Sequence, residues 1–161
     1  MKQEKLNIRN VTREDLPIIA EMIRGLAKYE KRPQDVTGTI EQLEHWLFDR
    51  KIATVLLGET DGRCVAYALY YPVFGSFAAA GQVHLEDLYI LPECRGKGYG
   101  LEMMSRIAAD VLDAGYNGME WSALDWNENA IGFYRRMGAH DETGRAYMFF
   151  DKEQLEEVRK L

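Results

Sequence analysis

Two stretches of this chain concentrate residues that can do chemistry. The first, "HLEDLYIL" from His84 to Leu91, sets Glu86 and Asp87 in an otherwise apolar, strand-like run that Pro92 ends. An unpaired carboxylate in such a strand is expensive. Adjacent strand residues point to opposite faces, so both acids reach one cleft only if the strand is bulged. The alternative is a pair of acids neutralised by buried arginines or placed at a solvent edge.

The second stretch, "ECRGKGYG" from Glu93 to Gly100, carries Gly96, Gly98 and Gly100 beside Arg95 and Lys97. It is not a Walker A loop, because no serine or threonine follows Lys97. Nor is it a Rossmann fingerprint, because Leu101 stands where the third glycine is required. What remains is R-x-x-G-x-G between a strand and the start of a helix. Such a loop directs consecutive backbone N–H groups and a helix dipole at one spot, and a pyrophosphate fits there. The alternative is a flexible turn with solvated cations.

The elements around these stretches follow from periodicity. "NIRNV" (Asn7 to Val11) predicts a short strand, and Thr12 or Asp15 can cap a helix whose Leu16, Ile19, Ile23 and Leu26 recur at helical spacing. Pro17 falls in its opening turns, where it does least damage. Thr39 and Gln42 form a capping box for a helix over "TIEQLEHWLF", Thr39 to Phe48. "IATVLLGE" and "RCVAYALYYPVF" predict strands joined by the turn Thr60-Asp61-Gly62. After the glycine loop, Leu101, Met104, Ala108, Val111 and Leu112 mark a helix ending at Gly115. "GMEWSAL" predicts a strand, "NENAIGFYRRMGA" a helix stopped by Gly138, "AYMFF" a strand and "KEQLEEVRKL" a helix. This order predicts one α/β (α+β) domain over residues 1–161.

Composition narrows the class. The chain has 161 residues, 47% hydrophobic and 29% charged, with a formal net charge of −6, which argues against a general nucleic-acid binder. An acidic surface mildly favours a small cationic partner. No apolar run suits a signal peptide or a membrane span, which predicts a cytoplasmic protein without membrane attachment. Cys64 and Cys94 make no disulfide framework, and His45, His84 and His140 have no ligand spacing, so no metal site is expected. Arg95 can lower the thiol pKa of Cys94, but an incidental small residue is the plainer reading.

Arg95-x-x-Gly98-x-Gly100 after "LEDLYILPEC" resembles the acetyl-CoA loop of the GNAT superfamily of N-acetyltransferases. "DWNENAIGFYRRMGA" (Asp125 to Ala139) resembles that superfamily's second signature. "LAKYE" (Leu26 to Glu30), "LED" (Leu85 to Asp87) and "WNE…FY" resemble its spermidine/spermine and thialysine branch. The resemblance spans nearly the whole chain. It implies the GNAT fold, a central mixed, mostly antiparallel sheet of six to seven strands flanked by helices, and a homodimer.

It also implies roles. Acetyl transfer to an amine needs a proton taken from an alkylammonium with a pKa of about 10 and one given to a thiolate whose thiol has a pKa of about 8.5. Glu86 would be the base, through water, and Asp87 would hold the cationic amine with Tyr29 and Glu30. Tyr134 would protonate the thiolate. It follows Asn127 by seven residues, about two helical turns. Asn127 would cap that helix and bind the cofactor; read without the resemblance, Tyr134 is a packed aromatic. Leu88, Tyr89 and Ile90 would lend main-chain groups to the acetyl and pantetheine, and Gly96, Lys97, Gly98, Tyr99, Gly100 and Leu101 would wrap the pyrophosphate, with Arg95 and Lys97 adding charge.

The chain departs from the polyamine enzymes. They carry Asp and Trp after "YY" where this chain has Gly75 and Phe77, and another Trp where it has Arg145. A long polycation needs several spaced acids, so a shorter amine is expected: a thialysine-like or lysine-like amino acid, or a small diamine. The rival readings are an acetyltransferase for a protein N-terminus or lysine, and a non-catalytic acetyl-CoA sensor.

Overall fold

The computed structural model describes residues 5–142, 144 and 146–160. These divide into two compact units, residues 1–122 and 123–161.

The first unit is built on one five-stranded sheet in the order β1-β2-β3-β4-β5. Its strands are β1 (Asn7–Asn10), β2 (Thr54–Thr60), β3 (Arg63–Gly75), β4 (Ala80–Ile90) and β5 (Met119–Glu120). The first four pair antiparallel and β5 pairs parallel to β4. The mixed, mostly antiparallel sheet that the resemblance implies is therefore present, with five strands where six to seven were expected. "GMEWSAL" contributes only Met119 and Glu120, and the described residues of "AYMFF" form no strand. A strand-like sequence becomes a strand only when it pairs with a neighbour, and the described residues of "AYMFF" pair with none.

Helix α1 (Leu16–Tyr29) covers one face of the sheet. Ile19 and Met22 pack with Val55, Leu57, Tyr67 and Tyr89 into a buried cluster. A single turn of 3₁₀ helix, Arg13–Asp15, precedes it, and the Thr12 amide donates to Asp15 Oδ2 at 2.7 Å. Arg9 of β1 ties this corner together, 2.8 Å from Asp15 and 2.7 Å from Glu59 of β2. The guanidinium holds the Asp15 carboxyl down at about 2. Helix α3 (Tyr99–Asp113) covers the other face with Tyr99, Met103, Ile107 and Val111. Gly115, at φ +81°, ends it as expected.

The expected capping box forms at Thr39, whose hydroxyl accepts from the Gln42 amide at 3.2 Å while Gln42 Oε1 accepts from Thr39 N at 2.9 Å. The helix it opens is shorter than predicted: α2 spans Ile40–Glu44 and widens into a π-turn over His45–Asp49. Strand β4 starts at Ala80 rather than His84, because Gly81, Gln82 and Val83 pair with Phe74, Val73 and Pro72 of β3.

The second unit holds α4 (Glu128–Arg136), stopped by Gly138 at φ +95°, and α5 (Lys152–Val158). Asp151 and Gln154 close a capping box on α5 with two 2.9 Å bonds. Tyr147, Met148, Phe149 and Phe150 are all exposed. Among the described residues no helix is long and apolar enough to cross a membrane.

Candidate active site

The acids of β4 owe their placement to a fault in pairing. Leu69 of β3 pairs with Asp87, but the next residue, Tyr70, pairs with Leu85. Glu86 is therefore an extra residue, a β-bulge, and the alternation that would separate it from Asp87 is broken. Both line one cavity of about 370 Å³, within the size range of small-molecule sites. Glu30, at the end of α1, lines it too, as do Arg24, Arg32 and Asp35. The bulge that chemistry demanded of the sequence is present.

Each acid has a tyrosine of β3 behind it. Tyr67, fully buried, donates to Asp87 Oδ2 at 2.9 Å, and Tyr71 donates to Glu86 Oε2 at 3.0 Å. Burial pushes the Asp87 carboxyl up to about 6, and the charges of Glu86 and Glu30 add to this while the Tyr67 hydroxyl opposes it. Burial also raises Glu30, with Arg32 opposing and Glu86 adding. Burial is the larger cause for both carboxyls and acid crowding adds to it, so a cation held beside them would lower both.

Sequence reasoning missed Tyr67, Tyr71 and His84. His84 places Nε2 3.5 Å from Glu86 Oε2 and Nδ1 3.4 Å from Glu120 Oε1, with its ring stacked on Tyr71 at 5.2 Å. The signal available was the i, i+2 spacing of His84 and Glu86, which puts them on one strand face.

The glycine loop lies at the far end of β4. Gly96 (φ +76°) and Gly98 (φ +81°) both occupy the left-handed region, where a side chain is strained. Gly98 caps α3, so Tyr99, Gly100 and Leu101 belong to its first turn rather than to the loop. Among the described residues the amides of Gly96, Gly98, Tyr99 and Gly100 donate to no backbone carbonyl. Such a set at the start of a 15-residue helix is suited to an anion with several oxygens. Lys97 and Leu101 are exposed at this end, and Tyr99 is buried beneath it.

Arg95 faces elsewhere. Its guanidinium lies 4.3 Å from the centre of the Tyr29 ring and 5.7 Å from that of Tyr89, and its Nε donates to the Ile90 carbonyl at 3.0 Å. Arg95 thus clamps the end of α1 to the end of β4. On its other edge β4 is paired by β5 only at Val83 and His84, so Leu85 to Ile90, with Leu88 and Tyr89 among them, border no strand there among the described residues. That open edge exposes main-chain groups beside the bulge.

The two cysteines carry no nucleophile: Cys94 is buried, and burial pushes the Cys64 thiol up to about 11. Among the described residues no group of three or more His, Cys, Asp or Glu is arranged to hold a metal ion.

In the second unit Asn127 caps α4, its side chain accepting from the Ala130 amide at 3.3 Å, and Tyr134 lies half-buried two turns on. Gly75 ends β3, Phe77 is fully exposed in the hairpin loop, and Arg145 lies outside the described residues.

Residues 19–139 match the model of the Acetyltransferase (GNAT) family. The chain belongs to the GNAT family. It is an acetyltransferase enzyme, and the family's cosubstrate is acetyl-CoA. A thialysine N-epsilon-acetyltransferase of Sus scrofa is 36% identical over 145 residues, 84% of this chain and 85% of that protein. A human spermidine/spermine N(1)-acetyltransferase-like protein 1 is 29% identical over 92% of this chain, though over only 23% of its own length. Among solved structures, a possible acetyltransferase from Clostridium difficile 630 superposes with a TM-score of 0.79 at 21% identity, covering 92% of this chain and 99% of that one. The GNAT match crosses the division between the two units, and the region it covers includes the bulge, the glycine loop and α4.

Proposed function

We propose that this enzyme transfers acetyl from acetyl-CoA to the terminal primary amine of a small cationic substrate, by direct attack of the amine on the thioester. The observation that carries the reading is that the β4 bulge brings Glu86 and Asp87 together in the cavity that Glu30 also lines. Glu86 takes the ammonium proton through a water, and Asp87 and Glu30, with Tyr29, hold the cation. The freed amine forms the C–N bond as the C–S bond breaks, and Tyr134 protonates the departing thiolate. The amides from Gly96 to Leu101 take the pyrophosphate, the main chain of Leu88, Tyr89 and Ile90 takes the pantetheine and acetyl, and Asn127 contributes from the α4 cap.

Within that class we favour a zwitterion over a long polycation. Arg24 lines the same cavity and has no carboxylate partner among the described residues, whereas Arg32 is taken by Asp35 at 2.6 Å. Arg24 and Glu30 are six residues apart on α1, about 9 Å along its axis. That spacing suits an amino acid with an amine at the far end of its side chain. The name of the Sus scrofa relative supports the same substrate class.

The test is acetyl-CoA turnover against polyamines, diamines, lysine, thialysine and peptides, with Glu86→Gln and Tyr134→Phe beside wild type. The expected result is transfer to a short diamino substrate, weakened at least tenfold in either variant. Acetyl-CoA binding without turnover on any amine would favour the sensor reading, and a peptide as best substrate would favour the protein acetyltransferase.

A further inference from the structure

Glu86, once it has accepted the substrate's proton, must lose it before the next turnover. Its Oε2 already accepts from the Tyr71 hydroxyl at 3.0 Å, and the ring nitrogen Nε2 of His84 stands 3.5 Å from the same oxygen. On the other side of the ring, Nδ1 faces Glu120 Oε1 at 3.4 Å. The imidazole is held in that line by its stack on Tyr71, 5.2 Å between centroids with 29° between planes. Its side chain, 21% exposed, lies between those of Glu86 at 52% and Glu120 at 60%. The groups facing His84 are thus Glu86 on its own strand, Tyr71 on β3 and Glu120 on β5, so the row leads from an acid that lines the cavity to one that does not.

We propose that His84 is a proton relay that returns Glu86 to its ionised form by passing the substrate's proton to Glu120 and water. The inference rests on the base role given to Glu86 above. In the resting state Nδ1–H donates to Glu120, which leaves the Nε2 lone pair to take the proton once Glu86 carries it. The proton bound to Glu86 moves to Nε2, giving an imidazolium between two carboxylates. The Nδ1 proton then leaves through Glu120 to solvent, and ring reorientation or exchange with water restores the starting tautomer. One proton enters the row and one leaves it.

His84 is also the register partner of Glu120 in the β4–β5 pair, so a purely structural role is the alternative. His84→Gln separates the two, since the glutamine amide N–H can keep the bond to Glu120 but the side chain cannot carry a proton through. The relay predicts that kcat falls roughly tenfold to a hundredfold in His84→Gln, while the KM for acetyl-CoA and the thermal midpoint stay near wild type. It further predicts that added imidazole restores turnover in His84→Ala in proportion to its concentration, and that ¹⁵N spectra of wild type show the Nδ1–H tautomer. A His84→Gln enzyme with the wild-type kcat across the pH range would overturn the relay and leave the acetyltransferase reading standing. An Nε2–H tautomer in the resting enzyme would also overturn it. Wild-type enzyme that acetylates no amine would overturn both.

Discussion

The hydroxyl of Tyr67, fully buried, donates to the Asp87 carboxylate at 2.9 Å. It works against the burial and the neighbouring acids that push Asp87 up to about 6. Tyr67→Phe keeps the ring and removes the donor. The expected loss is about 1.5–3 kcal/mol of stability at neutral pH, as for a hydrogen bond to a charged group, with little change at pH 4. Urea unfolding at the two pH values measures it, and equal losses at both would show that the bond does not serve the ionised acid.

Asp87 itself should destabilise the fold wherever it is charged. Its carboxyl is raised from 3.8 to about 6 in the folded chain, so the folded state holds this proton more tightly than the unfolded one. The contribution to stability is complete below about pH 4 and is lost as pH rises through about 6. Asp87→Asn removes the cost and should be more stable than wild type at pH 7 by up to about 3 kcal/mol. The advantage should vanish near pH 4, and the KM for the amine should rise. Asp15 acts in the opposite sense, its carboxyl held down at about 2 by Arg9, so its stabilisation fades only below pH 4.

Gly98→Ala should separate cofactor from amine. A side chain at φ +81° costs about 1–2 kcal/mol, and relief of that strain re-aims the amides at the start of α3. The KM for acetyl-CoA should rise about tenfold or more, with the amine KM little altered at saturating acetyl-CoA. Parallel increases in both constants would place the loop's role elsewhere.

Arg24→Met tests the substrate end of the cavity. If Arg24 reads a carboxylate, the ratio of kcat/KM for lysine over cadaverine should fall about three- to tenfold, the modest value expected of an exposed charge pair. Arg24→Lys should retain most of the preference. A ratio unchanged in Arg24→Met would assign the choice of substrate to the acids alone.

Features governed by a few consecutive residues were legible in the sequence. Gly96 and Gly98 announced the backbone of the loop, Thr39 and Gln42 their capping box, and Gly115 and Gly138 the helix ends, because each depends on neighbours in the chain. The bulge was legible by another route: two adjacent acids in an apolar strand share a cleft only if the alternation fails. Tyr67 and Tyr71 were not legible as partners of those acids, since their pairing depends on the β3–β4 register, which the bulge itself shifts by one, whereas His84 was within reach of a spacing rule on its own strand. The early part of β4, small residues and glycine, carries no strand signal of its own and is ordered by Val73 to Gly75 opposite. "AYMFF" has every local mark of a strand, yet strand propensity describes a fit to a neighbour. Arg95, read as a ligand for phosphate, spends its charge on two tyrosine rings that no spacing rule connects to it.

The bulge at Glu86 also makes this site sensitive to the count of residues as well as to their kind. A single residue inserted in β3 between Leu69 and Tyr70 would give Glu86 a pairing partner and restore regular alternation. One of the two acids would then turn to the face that α3 covers, with no acid substituted. Insertions and deletions in this hairpin, which leave the composition of the site intact, are therefore a route by which a close relative could keep the fold and the glycine loop and lose the amine.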